Sequence, residues 1–247
     1  MAIAVFGDIH GNLEALEAIL KDIKRNHRIK QVYYLGDAIT FGPDNSACLK
    51  LLAKHKVNFI VGNHEQRVVR YDKAADVMTY ASEKHIEWVF GRLDADDLRY
   101  IKNGAVEMKT NYKGFNLLFT HYSHDTDGVV RDDYDEFKES SLERLFGKAS
   151  TDVVFFAHIH HHKIIINEQG KSYICVGSSG CVHNDMTFYT YFEVNEKIHR
   201  NFDIYRINVP FNRKRFEEKM IRMDIPEKEK YAKFCFGMDF TPTGVVK

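Results

Sequence analysis

Hydrophobic residues at the start of the chain fall either into short continuous runs or into runs with helical spacing. The continuous runs cover residues 2–6, 32–35 and 57–61, and uninterrupted apolar runs of this length are typical of strands covered on both faces. Helical spacing appears between them, over about 12–23 and 45–54, with Asn12 as the candidate cap of the first helix. This order predicts successive strand–helix units of an α/β fold.

Residues from about 66 to 102 break the alternation, because they are rich in helix formers and carry apolar side chains without strand-like runs. They predict two or three helices inserted between core strands. Two interpretations of this insertion stay open: a cap over an active site, or a helical layer that only fills out the core.

The second half returns to strand-like segments. They cover residues 115–120, 153–157, 164–166, 173–176, 187–194 and 199–207. Runs of strands with few helices predict an antiparallel sheet packed on the first sheet, in a layered α/β sandwich. From about 210 the pattern predicts a C-terminal extension, with a helix to about Met223 and then a tail. No repeat or linker divides the chain, so we expect a single domain over 1–247.

Composition narrows the class of protein. The 247 residues are 44% hydrophobic and 28% charged, with 35 Lys plus Arg against 35 Asp plus Glu, which is typical of a globular protein. The balanced charge argues against nucleic acid and an anionic membrane as partners. No apolar stretch approaches the roughly 20 residues that a membrane span needs. Four cysteines without a CxxC pair predict reduced, packed thiols in a cytoplasmic protein.

Groups of polar residues stand directly after the apolar strands. In chain order they are Asp8-Ile9-His10, Gly36-Asp37, Gly62-Asn63-His64-Glu65, Thr120-His121 and His158-Ile159-His160. In open α/β sheets, sites lie beyond the carboxyl ends of the strands, so we expect these groups to converge. In Asp-x-His and His-x-His, residues two apart point the same way in extended chain. Each pair can therefore face one metal centre.

The residue types indicate which ions would bind. Carboxylate, imidazole and amide oxygen together suit a borderline divalent ion such as Mn, Fe, Zn, Ni or Co. The candidate ligands exceed what one tetrahedral ion needs. Two ions about 3.5–4 Å apart that share a bridging carboxylate would use them all, and such pairs serve hydrolytic chemistry. The sequence therefore predicts a two-metal centre.

This ordered motif series, which covers about residues 1–180, resembles that of the calcineurin-like metallophosphoesterase superfamily. The resemblance implies a four-layer αββα sandwich and a two-metal site, for which we favour manganese. It also implies a role for each residue: Asp8, His10 and His160 on the first ion, Asn63, His121 and His158 on the second, Asp37 bridging both, and His64 beside the substrate phosphate. There His64 would stabilise the transition state or protonate the leaving oxygen.

The chain departs from one branch of that superfamily. Protein Ser/Thr phosphatases follow Gly-Asp with Val-Asp-Arg-Gly, which supplies a phosphate-binding Arg and a partner for the catalytic His. Here the segment 36–42 reads Gly-Asp-Ala-Ile-Thr-Phe-Gly, so a phosphoprotein substrate is disfavoured. The Gly42-Pro43-Asp44 turn and the helical insertion look more like the small bacterial branch related to diadenosine polyphosphate hydrolases.

Two further residues are weaker candidates for substrate contacts. His124 lies three positions after His121, and Arg67 follows the Asn-His-Glu segment. The simpler interpretations are a loop histidine and a solvated helix face.

The sequence thus predicts a hydrolase that cleaves a phosphoester or phosphoanhydride bond of a small phosphorylated molecule by metal-activated hydroxide attack. Nucleotides and dinucleoside polyphosphates are the favoured substrates. The alternatives are a non-catalytic metal-binding scaffold on the same fold, like the retromer subunit of this superfamily, and a nuclease.

Overall fold

The structure is a computed structural model that describes residues 1–70, 79–131, 138–147, 150–199 and 201–240. Its strands are β1 (Ala2–Phe6), β2 (Ile29–Tyr34), β3 (Asn58–Phe59), β4 (Glu107–Tyr112), β5 (Phe115–Thr120), β6 (Val153–Phe156), β7 (His162–Ile166), β8 (Ser172–Val176), β9 (Met186–Val194) and β10 (Phe202–Pro210). Its helices are α1 (Leu13–Arg25), α2 (Asn45–Lys54), α3 (Asn63–Val69), α4 (Glu83–Phe90), α5 (Ala95–Lys102), α6 (Glu139–Phe146), α7 (Arg213–Arg222) and α8 (Lys228–Phe236).

The strands form two sheets, with orders β10-β9-β1-β2-β3 and β4-β5-β6-β8-β7. In the first sheet β1, β2 and β3 are parallel, β9 is antiparallel to β1, and β10 is antiparallel to β9. The carboxyl ends of β1, β2 and β3 therefore meet at one edge. The prediction that the strands of the second half form an antiparallel sheet of their own was wrong in two ways.

First, β9 and β10 join the first sheet rather than the second. Second, the centre of the second sheet is parallel, because β6 pairs in parallel with both β5 and β8. The connection from β5 to β6 contains α6, and a crossover through a helix returns the chain in the same direction. Only the edge pairs β4–β5 and β7–β8 are antiparallel.

Side chains alternate between the faces of the first sheet. Ala4 and Phe6 of β1 point toward the helices, whereas Ile3 and Val5 point toward the second sheet. The two sheets meet at an apolar layer in which the rings of Tyr33 and Phe119 stack 3.7 Å apart. This two-residue period places the core between the sheets.

Helices cover both outer faces. The buried stripe of α1 includes Leu16 and Ile19, and the Asn12 side chain caps this helix by accepting from Ala15 N at 3.1 Å. On the far side, Leu142 and Phe146 of α6 pack on the second sheet. The result is the expected four-layer α/β sandwich. Among the described residues, no helix has the length and hydrophobicity that crossing a bilayer requires.

The segment between β3 and β4 contains α4 and α5. Helix α4 contacts α3, and α5 contacts α2 and α3, with Ile86, Val89 and Ile101 in the buried cluster. The predicted insertion is thus helical where it is described, and residues 71–78 of it lie outside the described residues.

The C-terminal extension ends in a helix that the sequence did not predict. The predicted helix after 210 is present as α7, but α8 stands where a tail was expected. Phe236 of α8 packs on Phe216 of α7 at a ring distance of 4.7 Å, and Tyr231 packs on Phe41 at 4.9 Å. Helix α8 therefore belongs to the packed body of the protein and reaches the loop after β2.

Candidate metal centre and active site

The candidate site is built from loops at the carboxyl ends of β1, β2, β5 and β6, together with the start of α3. Neighbouring loops are tied by backbone hydrogen bonds: Asp8 N donates to Gly36 O at 2.9 Å, and His10 N donates to Asp37 O at 2.9 Å. Gly36 has a φ of 94°, and a Cβ on it would lie 2.6 Å from Gly62 N. Only glycine allows this approach of two loops.

The backbone of the site is held in an unusual conformation. Left-handed φ values of 52°, 48°, 59°, 70° and 62° occur at Asp8, His10, Asp37, His158 and His160. For residues with a side chain this region costs on the order of 1–2 kcal/mol each. Such strain concentrates at functional sites, where the surrounding structure maintains it.

One group of side chains surrounds Asn63. Its Oδ1 lies 2.9 Å from His121 Nε2 and 3.2 Å from His158 Nδ1. His121 Nε2 is also 3.3 Å from Asp37 Oδ2. Ligand atoms of Asp37, His121 and His158 all lie within 4.8 Å of one another, so these residues could hold a metal ion.

A second group lies on the other side of Asp37. His10 Nε2 is 3.9 Å from Asp37 Oδ2 and 3.1 Å from His160 Nε2. Asp8 is fully buried beside them, and its Oδ2 accepts from His158 N at 3.2 Å. The structure thus brings the predicted ligands together around the Asp37 carboxylate. Asp8 Oδ1 lies 3.9 Å from His121 Nδ1, and the group of His10 and Asp37 that could hold a metal ion also includes His64.

Protonation can be assigned where a ring nitrogen faces a carbonyl, since a carbonyl only accepts. His10 Nδ1 donates to Ile39 O at 3.1 Å, and His121 Nδ1 donates to Leu35 O at 2.6 Å. Each Nε2 is therefore directed at the site, and this is the arrangement that orients metal-binding imidazoles. Burial lowers the pKa of His10 well below its usual range and lowers the pKa of His160 to about 3, which keeps both rings neutral.

The pKa values of the two site carboxylates shift in opposite directions. Burial raises the pKa of Asp8 well above its usual range. Burial also opposes ionisation of Asp37, but His121 and His64 hold its pKa well below normal. Burial likewise opposes a charge on His121, yet Asp37 and Asp8 raise its pKa to about 9. His121 thus acts as the positive partner of the ionised Asp37, and a bound cation would supply the same favourable charge to Asp37 and would favour ionisation of Asp8 as well.

Two observations test whether metal ions fit. Asp8 Oδ1 is buried and has no hydrogen-bond partner within the described part of the chain. His10 Nε2 and His160 Nε2 face each other at 3.1 Å. Buried polar atoms without partners are costly, and a cation shared by these atoms would satisfy them. The donor set fits divalent metal ions.

Glu65 has a structural role that the sequence did not predict. Its buried carboxylate accepts from Asp37 N and Ala38 N, each at 2.7 Å, and from Gly62 N at 2.8 Å. Burial and the nearby Asp37 raise the pKa of Glu65 to about 7. The carboxylate braces the loops that carry Asp37 and Asn63. The available sequence signal was a Glu three residues after Gly62, the spacing at which a side chain in the first turn of a helix reaches back to the N-cap backbone N–H.

His64 lies at the start of α3 and is almost completely buried. Its backbone N donates to Asp37 Oδ1 at 3.0 Å, its Nδ1 lies 2.7 Å from Thr40 Oγ1, and its Nε2 lies 4.0 Å from Asp37 Oδ2. Burial lowers the pKa of His64 to about 4, against the effect of Asp37. Thr40 supplies the partner for His64 that the sequence left unidentified.

The two weaker candidates lie elsewhere. His124 Nε2 pairs with Glu107 Oε2 at 3.3 Å, in a separate cavity of about 150 Å³. Arg67 pairs with Glu83 and so connects α3 to the start of α4. Neither side chain lines the cavity over the metal ligands.

A cavity of about 550 Å³ opens over the two groups of ligands. The site residues at its base are Asp37, Asn63, His64, His158 and His160. Its walls are Phe41, Tyr80, Ile159, His161, Cys181, His183, Phe234 and Cys235. The rings of Tyr80 and Phe234 are 72% and 70% exposed, so they present apolar faces to a bound molecule. Sequence reasoning missed both the wall from α8 and the aromatic character of the opening.

Comparisons with known proteins agree with this geometry. The model of the calcineurin-like phosphoesterase family matches residues 1–162, a range that includes every predicted metal ligand. Over nearly its whole length the chain is similar to an uncharacterized protein of Methanocaldococcus jannaschii, with 26% identity over 239 residues that cover 91% of this chain and 94% of that protein.

An enzyme of stated activity is similar over a shorter range. The asymmetrical bis(5'-nucleosyl)-tetraphosphatase PrpE of Oceanobacillus iheyensis is 34% identical over 141 residues, which cover 49% of this chain and 56% of that enzyme. The crystal structure of a metallophosphoesterase from Sphaerobacter thermophilus shares the fold, with a TM-score of 0.68 and 18% identity over 95% of this chain and 98% of that chain.

Proposed function

The chain belongs to the calcineurin-like phosphoesterase family, and from this premise we propose that it hydrolyses a phosphoester or phosphoanhydride bond of a small phosphorylated substrate with two divalent metal ions. The observation that carries the proposal is the convergence of the predicted ligands around the Asp37 carboxylate, which could share one metal ion with His10 and another with His121 and His158. The presence of every predicted ligand and of His64 supports catalysis rather than a scaffold role.

In this proposal each group of ligands holds one ion. Asp8, His10 and His160 would hold the first ion, Asn63, His121 and His158 the second, and Asp37 would contact both. When bound, the ions supply positive charge beside the phosphoryl oxygens and lower the pKa of water toward neutrality. The distances among His10, His160, Asp37, His121 and His158 support the assignment. Asp8 Oδ1, which is buried without a hydrogen bond and lies 3.9 Å from His121 Nδ1, supports a cation near that carboxylate.

His64 acts on the substrate and not on the metals. Thr40 Oγ1 lies 3.3 Å from His10 Nδ1 and 2.7 Å from His64 Nδ1, and in this proposal the Thr40 hydroxyl is the donor to His64 Nδ1. The His64 ring is neutral at neutral pH, because burial lowers its pKa to about 4, and its single proton then lies on Nε2. His64 Nε2 then donates a hydrogen bond to a phosphoryl oxygen and stabilises the negative charge on that oxygen in the transition state.

The cavity favours nucleotides and dinucleoside polyphosphates as substrates. A volume of about 550 Å³ is in the range of small-molecule sites. The exposed rings of Tyr80 and Phe234 offer stacking faces for a base. The similarity to a dinucleoside tetraphosphatase over half of the chain supports the same class.

Hydrolysis itself tests the proposal. Protein loaded with Mn²⁺ is expected to hydrolyse a nitrophenyl phosphate ester and members of a panel of nucleotides, dinucleoside polyphosphates, cyclic nucleotides and phosphodiesters, with the products separated by chromatography. Chelation should abolish hydrolysis, and added metal should restore it, because the bound ions supply positive charge beside the phosphoryl oxygens. Metal-replete protein that is inert toward every ester and anhydride would refute the proposal and favour the scaffold alternative.

The Phe234→Ala variant tests the substrate class. Stacking of a base on an aromatic ring contributes about 1–3 kcal/mol, so KM for a nucleotide substrate should rise by roughly 5- to 150-fold. KM for inorganic tripolyphosphate, which has no base, should stay unchanged. The matched control is Tyr205→Ala, which removes an exposed ring on β10, away from the cavity. Equal effects on both substrates would contradict a role of Phe234 in base binding.

A further inference from the structure

Cys181 lies in the loop after β8, beyond the part of the chain that the family model matches. This loop is fixed to the Asp8 loop by hydrogen bonds: Ser178 Oγ donates to Asp8 O at 2.8 Å, and Gly180 N donates to Asp8 O at 3.0 Å. Cys181 N in turn donates to Ser178 Oγ at 2.9 Å. A Cβ at Gly180 would collide with the Ile9 carbonyl, so the loop approaches as closely as the backbone allows. The position of Cys181 is therefore set by the metal-binding loop.

The Cys181 thiol is directed at the first group of ligands. Its Sγ and ligand nitrogens of His10 and His160 all lie within 4.8 Å of one another. With metal distances of about 2.3 Å to sulfur and about 2.0–2.1 Å to imidazole nitrogen, the sulfur and nitrogen ligands of one ion lie no more than about 4.4 Å apart. The two Nε2 atoms are 3.1 Å apart. The three side chains come from three separate loops, and His10 Nδ1 donates to Ile39 O, which leaves its Nε2 free to bind.

A second thiol lies close by and supplies the alternative interpretation. Cys235 of α8 is buried and lies within hydrogen-bonding contact of Cys181, so Cys181 could simply pack against it. Within the described part of the chain, however, Cys181 forms a possible ligand group with His10 and His160. Cys181 is therefore the thiol that we compare with these two ligands.

We propose that Cys181 is a ligand of the ion held by His10 and His160, an inference that rests on the proposed function because it requires that ion to bind. The thiol loses its proton to solvent as the metal–sulfur bond forms, since the thiolate is the form that binds metal. A thiolate selects softer ions. The ion position formed by His10, His160 and Cys181 therefore prefers zinc, iron(II) or cobalt(II) to magnesium, calcium and manganese.

Cobalt(II) provides a readout that does not depend on activity. Full-length protein loaded with Co²⁺ is expected to show a thiolate-to-cobalt charge-transfer band in the near ultraviolet. The Cys181→Ser variant should lose the band and bind one of its two metal equivalents at least about tenfold more weakly, since even partners of the ligands contribute 10- to 100-fold. The matched control is Cys235→Ser, which removes the neighbouring thiol from the same cavity and should keep the band.

A measurement on unmodified protein covers the case in which Cys181→Ser does not fold. X-ray absorption of zinc-loaded protein should show a sulfur neighbour at about 2.3 Å. Two bound metals without a sulfur neighbour or a charge-transfer band would overturn the inference, and so would a band that persists in Cys181→Ser or disappears in Cys235→Ser. In those cases hydrolysis by the metal-loaded protein would leave the proposed function standing. Protein that binds no divalent ion would refute both.

Discussion

The Asp37→Asn variant is expected to lose hydrolytic activity by roughly a thousandfold or more. Asparagine keeps the size of the side chain and the oxygen that accepts from His64 N, but it removes the negative charge that the two groups of ligands share. Charge stabilisation by bound metal amounts to several kcal/mol, and each 1.36 kcal/mol corresponds to about tenfold in rate.

Steady-state kinetics and metal analysis of the same samples test this prediction. The variant should retain fewer than two metals per chain and show a lower kcat. Asp22→Asn is the matched control, because Asp22 accepts from the Tyr189 hydroxyl on the outer face at 2.9 Å and lies far from the ligands in the fold. A variant with two metals and undiminished kcat would show that Asp37 does not bridge ions.

Replacement of His64 is expected to reduce kcat by about 10²–10³-fold, the usual result of removing one donor to a developing oxyanion. Metal content should not change, since His64 is assigned to the substrate. His64→Ala and His64→Gln separate the two roles that the sequence left open. Glutamine can donate a hydrogen bond from the position of Nε2 but cannot protonate a leaving oxygen.

We expect His64→Gln to retain clearly more activity than His64→Ala, because the neutral ring acts as a hydrogen-bond donor. The loss should be the same for a nitrophenolate leaving group, which needs no proton, and for an alkoxide, which does. A loss confined to the alkoxide substrate, with glutamine no better than alanine, would instead assign His64 as a general acid. Thr40→Val should give a smaller loss of kcat, because it disturbs only the orientation of the ring.

The metal ligands were predictable because strand ends can be recognised locally. Each apolar run stops at a polar group, and the carboxyl ends of parallel strands meet, so His10 and Asp37 could be placed together although they lie in separate units. The brace by Glu65 and the partner role of Thr40 depend on loop conformations with left-handed residues, including Thr40 itself at φ 75°. Such conformations leave no periodic signal in sequence.

Strand β4 and helix α8 were missed for different physical reasons. Strand β4 is largely polar because it is an edge strand that buries mainly Tyr112. Helix α8 begins with Lys-Glu-Lys and buries only residues near its C-terminal half, such as Tyr231 and Phe236, so its amphipathic pattern is weak. The arrangement of the second sheet was wrong because pairing partners are decided by tertiary contacts, and strand-like segments alone do not specify them.

The stacked pair of Tyr33 and Phe119 joins two strands whose ends carry different halves of the site. Asp8 and Asp37 extend from the first sheet, whereas His121 and His158 extend from the second. The thickness of the apolar layer therefore fixes how far the Asp8 and Asp37 carboxylates lie from the His121 and His158 imidazoles. Cation affinity is consequently a property of the whole sandwich, and a core substitution that lets one sheet slide on the other would weaken it without touching any ligand.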